Sequence, residues 1–531
     1  MSTLVGTGKL IRLILRRDRL LLPLWIYPLC LVLISFPSSL RAVFPTAAER
    51  LQYADNPGFV ALYGRLSGPS LGELVAWRAG FVPVIVGLIS VLVVIRHTRV
   101  EEETGRRELL GATVVGRHAG LAAALAATFG ANLVLAALVA LSMISQHLPA
   151  TGSLAFGVEL AAAGLMFAAV GGVAAQLTES ASGARGIATT VLGAAYLLRV
   201  VGDLSGHAGG GLAWVSWLSP IGWVHRIRPY GGERWWLLLL AAGLVAVLGA
   251  AAAGLSARRD LGAGLLPTRP GPATAAPGLR SPLALAWRLH RGLLAGWTAG
   301  FAVLGVVFGA LAKGIGDMEH DNPTLQDIFT RMGGRAGLID AYLAGIMSML
   351  GLIAAGYAIQ ATLRLRAEES SGRAEPLLAT AVGRLRWAGS HLAFSVLGPT
   401  VALAAAGLAT GLAHGLNTGH VGRELPRLLG AAMAQLPAVW LLAAIAVALF
   451  GLLPRLAPAA WGALAVCLLV LMVGAAMQLS QWVLDVSPFT HVPKAPGTAV
   501  SATPLIWLGA VAVALAIAGL IGLRRRDIPV T

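Results

Sequence analysis

The sequence predicts an all-α polytopic membrane protein, with 12 transmembrane helices arranged as two parallel six-helix repeats. Three observations carry this. Of 531 residues, 57% are apolar and only 12% charged, where a soluble domain runs near a quarter charged. Twelve runs are continuously apolar over the ~20 residues that a helix needs to cross a bilayer, whereas barrel strands would alternate every second residue. A polar block recurs at half the chain length.

The apolar runs are 20–36, 79–95, 119–144, 155–177, 186–201 and 235–255, then 293–312, 341–363, 388–412, 428–452, 459–479 and 504–523. The basic start ahead of the first run has the look of a cleaved signal peptide. Eleven further runs make a retained first span the better reading. An even number of spans places both termini on one side. With both termini cytoplasmic, the inner segments total 125 residues and carry 26 Lys+Arg, while the outer ones total 152 and carry 13. That bias follows the positive-inside rule and explains the net charge of +16 without nucleic acid. The chain is expected in the plasma (inner) membrane, in contact with lipid. Trp77, Trp214, Trp217, Trp223, Trp235 and Trp482 fall where an interfacial aromatic belt belongs. Cys30 and Cys467 both lie in apolar runs and form no disulfide framework or metal set.

The recurring block is RVEEETGRRELLGATVVGR at 99–117 and RAEESSGRAEPLLATAVGR at 366–384. The offset is 267 residues, and 12 of 19 positions are identical. Ser219-Pro220 answers Ser487-Pro488, and Arg258-Arg259-Asp260 answers Arg525-Arg526-Asp527. Near the starts, Arg16, Arg19 and Trp25 answer Arg288, Arg291 and Trp297. The chain therefore divides into a first six-helix half, 1–260, a Pro/Gly/Ala-rich linker, 261–283, and a second half, 284–531. Parallel repeats of this kind suit a pseudo-dimer with a pathway at its centre. The linker composition suits a semi-extended joint on the cytoplasmic side.

Each half opens on a basic amphipathic stretch. Lys9, Arg12, Arg16 and Arg19 share one helical face, with Leu10, Leu13 and Ile14 opposite, as in a helix lying in the membrane interface. The loop after the second span repeats Arg99, Glu101, Glu102, Gly105, Arg106 and Glu108 as Arg366, Glu368, Glu369, Gly372, Arg373 and Glu375. A solvated loop has little reason to keep one charge pattern twice. A docking element for a cytoplasmic partner does, because rim charges set register and on-rate.

These features together resemble the permeases of type-2 ABC exporters. The resembling features are an interfacial first helix, a long outer loop after the first span, EExxGRxExL after the second, and an outer Ser-Pro segment before the sixth. The fused double form is similar to actinobacterial tetronasin and multidrug exporter permeases, and the Arg- and Ala-rich composition with three Lys suits such a source. The resemblance implies that the repeated loops are coupling helices contacting two copies of a separate ATPase. The second copy departs from the first at Pro376, where Leu109 stands in the first, so the two contacts are expected to differ.

No GxxxxGK[ST] loop occurs. The nearest stretch, GTGK at 6–9, lacks the first Gly. The chain is thus not an enzyme by itself: it needs no cofactor of its own, and ATP and Mg2+ belong on the partner. The near absence of charge in the spans points to an amphipathic or lipophilic small substrate. Two charged residues fall inside the runs, Glu159 and Arg199. These, with Ser219, Pro220, Ser487 and Pro488, are candidates for a substrate pathway or gate. Arg199 stands four residues before Asp203, which also allows a local ion pair. A proton-coupled twelve-helix antiporter is the rival function, and would need titratable residues within the membrane. A membrane-embedded transferase is the second rival. Its candidates, Asp317, Glu319 and Asp321, follow no organised pattern, and the eleven His show no HExxH spacing. Gly407, Gly411 and Gly415 repeat every fourth residue, a spacing that lets helices approach closely.

Overall fold

Gly and Ala leave no side chain to hold helices apart, so helices rich in them can occupy the crowded centre of a bundle. The computed structural model describes residues 3–55, 57–111, 113–207, 209–260, 262–266, 273–276, 278–321, 338–473 and 480–527. Its contacts divide the chain into two units, Met1–Gly271 and Pro272–Thr531. Twelve of the helical stretches are long and apolar enough to cross a membrane. No strand occurs among the described residues beyond an isolated bridge between Thr178 and Leu266.

The first unit opens with α1 (Thr7–Arg17) and α2 (Leu21–Val43). Next comes α3 (Val82–Ile95), which continues through a π turn at Arg96–Val100 into Glu101–Glu103. Then follow α4 (Ala119–Ser145), α5 (Ala150–Leu177), α6 (Ala181–His207) and α7 (Leu237–Ala257). The Gly- and Ala-rich α5 is the central helix and packs on α3, α4, α6 and α7. Gly157 and Gly164 explain its closeness to α4: a Cβ on either would land on the Ala136 carbonyl or the Asn132 side chain. By contrast α2 and α7 are mostly exposed, with Leu24, Leu31, Leu239 and Val247 turned outward as lipid-facing residues are.

The second unit holds α8 (Pro282–Asp321), α9 (Leu338–Ser370), α10 (Arg384–Thr418), α11 (Val421–Met433), α12 (Leu436–Leu452), α13 (Ala460–Val473) and α14 (Ala502–Arg525). Here α10 packs on α8, α9 and α11, and α12 packs on α9 and α14. Helix α10 outlasts its apolar run and reaches Thr418. Helix α11 starts seven residues before the expected span. The polar side chains responsible are used: Arg427 bonds to Glu424 (3.1 Å) and to Asp340. The end of the expected span at 474–479 and the side chains of Asp317, Glu319 and Asp321 lie outside the described residues.

The glycine stripe is the seam between α10 and α11. A Cβ on Gly411 would stand 2.7 Å from the Leu425 Cα, and one on Gly415 would stand 2.6 Å from the Val421 Cα. Those neighbours are backbone and cannot swing away. Gly411→Ala is therefore expected to cost about 1–3 kcal/mol through overpacking. Gly422→Ala, with open space around the new methyl, should instead gain up to about 1 kcal/mol by lowering backbone entropy. Melting of the two variants in lipid nanodiscs checks the opposite signs.

Candidate functional site

A charge buried in a low-dielectric bundle must be paired, or it costs several kcal/mol. The repeated loop meets this requirement in the same way in both units. In the first, Glu102 is buried and accepts from Arg259, at the end of α7, through both carboxylate oxygens (2.8 and 2.9 Å). It also accepts from Arg99 (2.7 Å) and Arg107 (2.8 Å). In the second, Glu369 takes two bonds of 2.6 Å from Arg526, just past α14. Both Glu–Arg pairs are 157 residues apart in the chain. Such two-pronged guanidinium–carboxylate contacts fix geometry as well as charge.

The correspondence extends to neighbouring groups. Arg117 donates to the Arg259 carbonyl (3.1 Å), and Arg384 donates to the Arg526 carbonyl (2.6 Å). Arg106 pairs with Glu101 at 3.6 Å, and Arg373 pairs with Glu368 at 3.0 Å. Gly105 and Gly372 both turn the chain at φ near +70°, a conformation that other residues adopt at a cost. After each turn a short helix begins, at Arg106–Gly111 in the first loop and Ala374–Leu378 in the second. Pro376 does not prevent this helix, because it stands in the first turn, where a missing N–H forfeits no intrahelical bond.

The twelve charged-loop residues thus separate by position. Arg99, Glu102, Glu368 and Glu369 are buried, and all four are paired within the chain as described above. Arg99 also donates to the carbonyls of Glu179, Gly262 and Ala263, so the start of the expected linker is tied to the loop. Glu103, which sequence reasoning left aside, caps α6 by accepting from the Ala181 N–H (2.7 Å). Exposed at the turns are Arg106, Glu108, Arg373 and Glu375, with Glu101, Gly105, Arg366 and Gly372 half-buried.

Helix α1 braces the first loop. Arg17 pairs with Glu101, and Asp18 pairs with His97 and Arg96, which the π turn brings round. A cavity of about 340 Å3 remains between α1, this loop and the start of α4, lined by Leu10, Leu13, Ile14, Arg17, His97 and Glu101 among others. Burial lowers the Arg107 pKa from its ordinary value, and Glu102 opposes that shift.

At the opposite end of the first unit, the segments between α2 and α3 and between α6 and α7 fold into a cap. Arg199 organises it: fully buried, it donates to the carbonyls of Val60 (3.2 Å) and Leu62 (3.1 Å) and pairs with Asp203 at 3.8 Å. The expected local ion pair is present, but the carbonyls it holds come from another segment. Ser219 caps the short helix Pro220–His225 through the Gly222 N–H (3.1 Å) and donates to the Ala195 carbonyl (2.6 Å). Ser487 and Pro488 are also buried, where Ser487 precedes and Pro488 opens the short 3-10 turn Pro488–Thr490. Trp77 leaves the expected aromatic belt: it is buried in the cap against Tyr53, Phe59 and Tyr63, and its indole N–H donates to Gly64. Trp214 and Trp482 are exposed.

The Glu–Arg clasp generates a prediction. Glu369→Arg should set two cations against each other and cost about 3–5 kcal/mol, the order found for breaking a buried pair. The exchanged pair, Glu369→Arg with Arg526→Glu, should recover more than half of that loss. Melting temperature of the purified variants in nanodiscs is the measurement, and equal losses in the single and exchanged proteins would refute the clasp.

Comparison with known proteins agrees with this architecture. Residues 279–524 match the family model described as the C-terminal domain of the multidrug efflux system permease Rv1217c. The whole chain is 46% identical over 532 residues to the multidrug efflux system permease protein Rv1217c of Mycobacterium tuberculosis (strain ATCC 25618 / H37Rv), covering 99% of this chain and 96% of that one. With twelve membrane-competent helices and near full-length identity, the chain belongs to the Rv1217c family of multidrug efflux system permeases.

Proposed function

We propose that the chain is the permease subunit of an ATP-driven exporter of the ABC type, moving amphipathic or lipophilic compounds out of the cell. Two copies of a separate ATPase, holding ATP and Mg2+, dock on the turns at Gly105 and Gly372. Both termini then lie in the cytoplasm, where the basic residues concentrate. The observation that carries this reading is the duplicated clasp. Each loop is fastened through Glu102 or Glu369 to the last helix of its unit, while Glu108 and Glu375 stay exposed beyond the turn. A push on the exposed helix is transmitted through the clasp to α7 or α14, because a bidentate ion pair resists shear better than an apolar contact. The relative's name, a permease of a multidrug efflux system, supports the same class of cargo.

A proton-coupled antiporter is the second reading, favoured by the buried carboxylate of Glu159. Transport that survives ATP depletion and stops on collapse of the proton gradient would select it.

The docking surface has its own test. Glu108→Arg combined with Glu375→Arg should lower transport-coupled ATP hydrolysis in the reconstituted complex at least fivefold, with melting temperature unchanged. Unaltered coupling in this double variant would remove the exposed carboxylates from the interface.

A further inference from the structure

The cap of the first unit encloses a polar cavity of about 180 Å3 that nothing above uses. Its wall includes Glu159 of α5, Asp203 of α6, Glu73, His225, and the rings of Tyr63 and Trp77. The acidic groups differ in their commitments. Glu73 closes a capping box with Ser70 (2.9 and 3.1 Å). Asp203 faces Arg199. Glu159 is 4% exposed, lines the cavity, and receives no hydrogen bond or ion pair from any described residue. A buried carboxylate with no partner is costly to keep and calls for an explanation.

The cations of the cap do not supply the missing partner. Arg226 lies over the Trp217 ring and donates to Ser216 and to the Gly222 carbonyl (3.2 Å). Arg78 lies over the Tyr63 ring. Arg65 and Arg228, which also line the cavity, are exposed. His225 is pushed down to about 3 by burial and by the positive charges of Arg199 and Arg226, so it stays uncharged. The deep wall therefore joins one free carboxylate and a neutral imidazole beside the packed rings of Tyr63 and Trp77, a set that holds an organic ammonium through a charge-assisted hydrogen bond to the carboxylate.

We propose that this cavity binds the protonated amino group of a cationic amphiphile, with Glu159 as its counter-ion, and that it is a substrate-recognition site of the permease. A volume near 180 Å3 admits the ammonium and a few carbon atoms of its stem, leaving the apolar remainder at the mouth. The sequence does not repeat the two key residues: Pro426 stands at the 267-residue offset from Glu159, and Pro493 answers His225 in the register that aligns Ser219-Pro220 with Ser487-Pro488. The inference rests on the chain being a transporter permease but not on its energy source.

The test is equilibrium binding to the full chain in lipid nanodiscs without nucleotide or partner, so a failed ATPase reading leaves it intact. The probes are dansylcadaverine, a fluorescent primary amine, and its uncharged N-acetyl derivative. Glu159→Gln, which keeps the shape of a side chain that has no partner to lose, should weaken the amine at least tenfold, the scale of a hydrogen bond to a charged group. The acetylated probe should change by less than twofold. Glu159→Asp, which retains the charge one methylene short, should fall between. Equal weakening of both probes, or amine binding that is indifferent to Glu159→Gln, would overturn the site.

Discussion

A carboxylate taken out of water has to be met by positive charge, and this chain meets that demand twice with one solution. Glu102 lies among Arg99, Arg107 and Arg259, and Glu369 lies against Arg526. Each pair fastens the loop after a unit's second span to the end of its sixth. Buried pairs of this sort add little net stability over apolar residues of equal volume, but they define a position sharply, since losing either partner strands a charge. The loop is thereby held as part of a rigid framework. The turns at Gly105 and Gly372 thereby hold a defined place on it.

The opposite end of the first unit relies on the same economy with backbone in place of carboxylate. Arg199 finds its acceptors in the carbonyls of Val60 and Leu62, which orders a segment far away in sequence and closes the cap over the polar cavity. The stacked and edge-on rings of Phe44, Tyr53, Phe59, Tyr63 and Trp77 fill the space beneath. Glu159 stands out in this setting because every other buried charge around it has an assigned partner.

The two units share the clasp and differ elsewhere. Asp18 and His97 join α1 to the first loop. In the second unit the corresponding helical positions hold His290 and Arg364, and His290 contacts His391 instead (3.1 Å). The π turn of the first unit has no counterpart in α9, which runs as α-helix to Ser370. What recurs is therefore the loop and its anchorage, while the Asp18–His97 brace is confined to the first unit among the described residues.

Spans, their number and the duplicated loop were legible in the sequence because hydrophobicity over twenty residues and identity at a fixed offset are local or self-referential signals. The family resemblance rested on the same residues. The sequence could not tell which repeated charges face inward. Glu101 and Glu102 are neighbours of one type, yet the first is half-buried beside Arg17 and Arg106 while the second is enclosed by arginines from two segments. Nor could it foresee that Trp77 fills a core or that Glu159 faces an enclosed space. Those outcomes depend on which distant segment fills the room around a side chain, and only the tertiary packing of α5, α6 and the cap decides that.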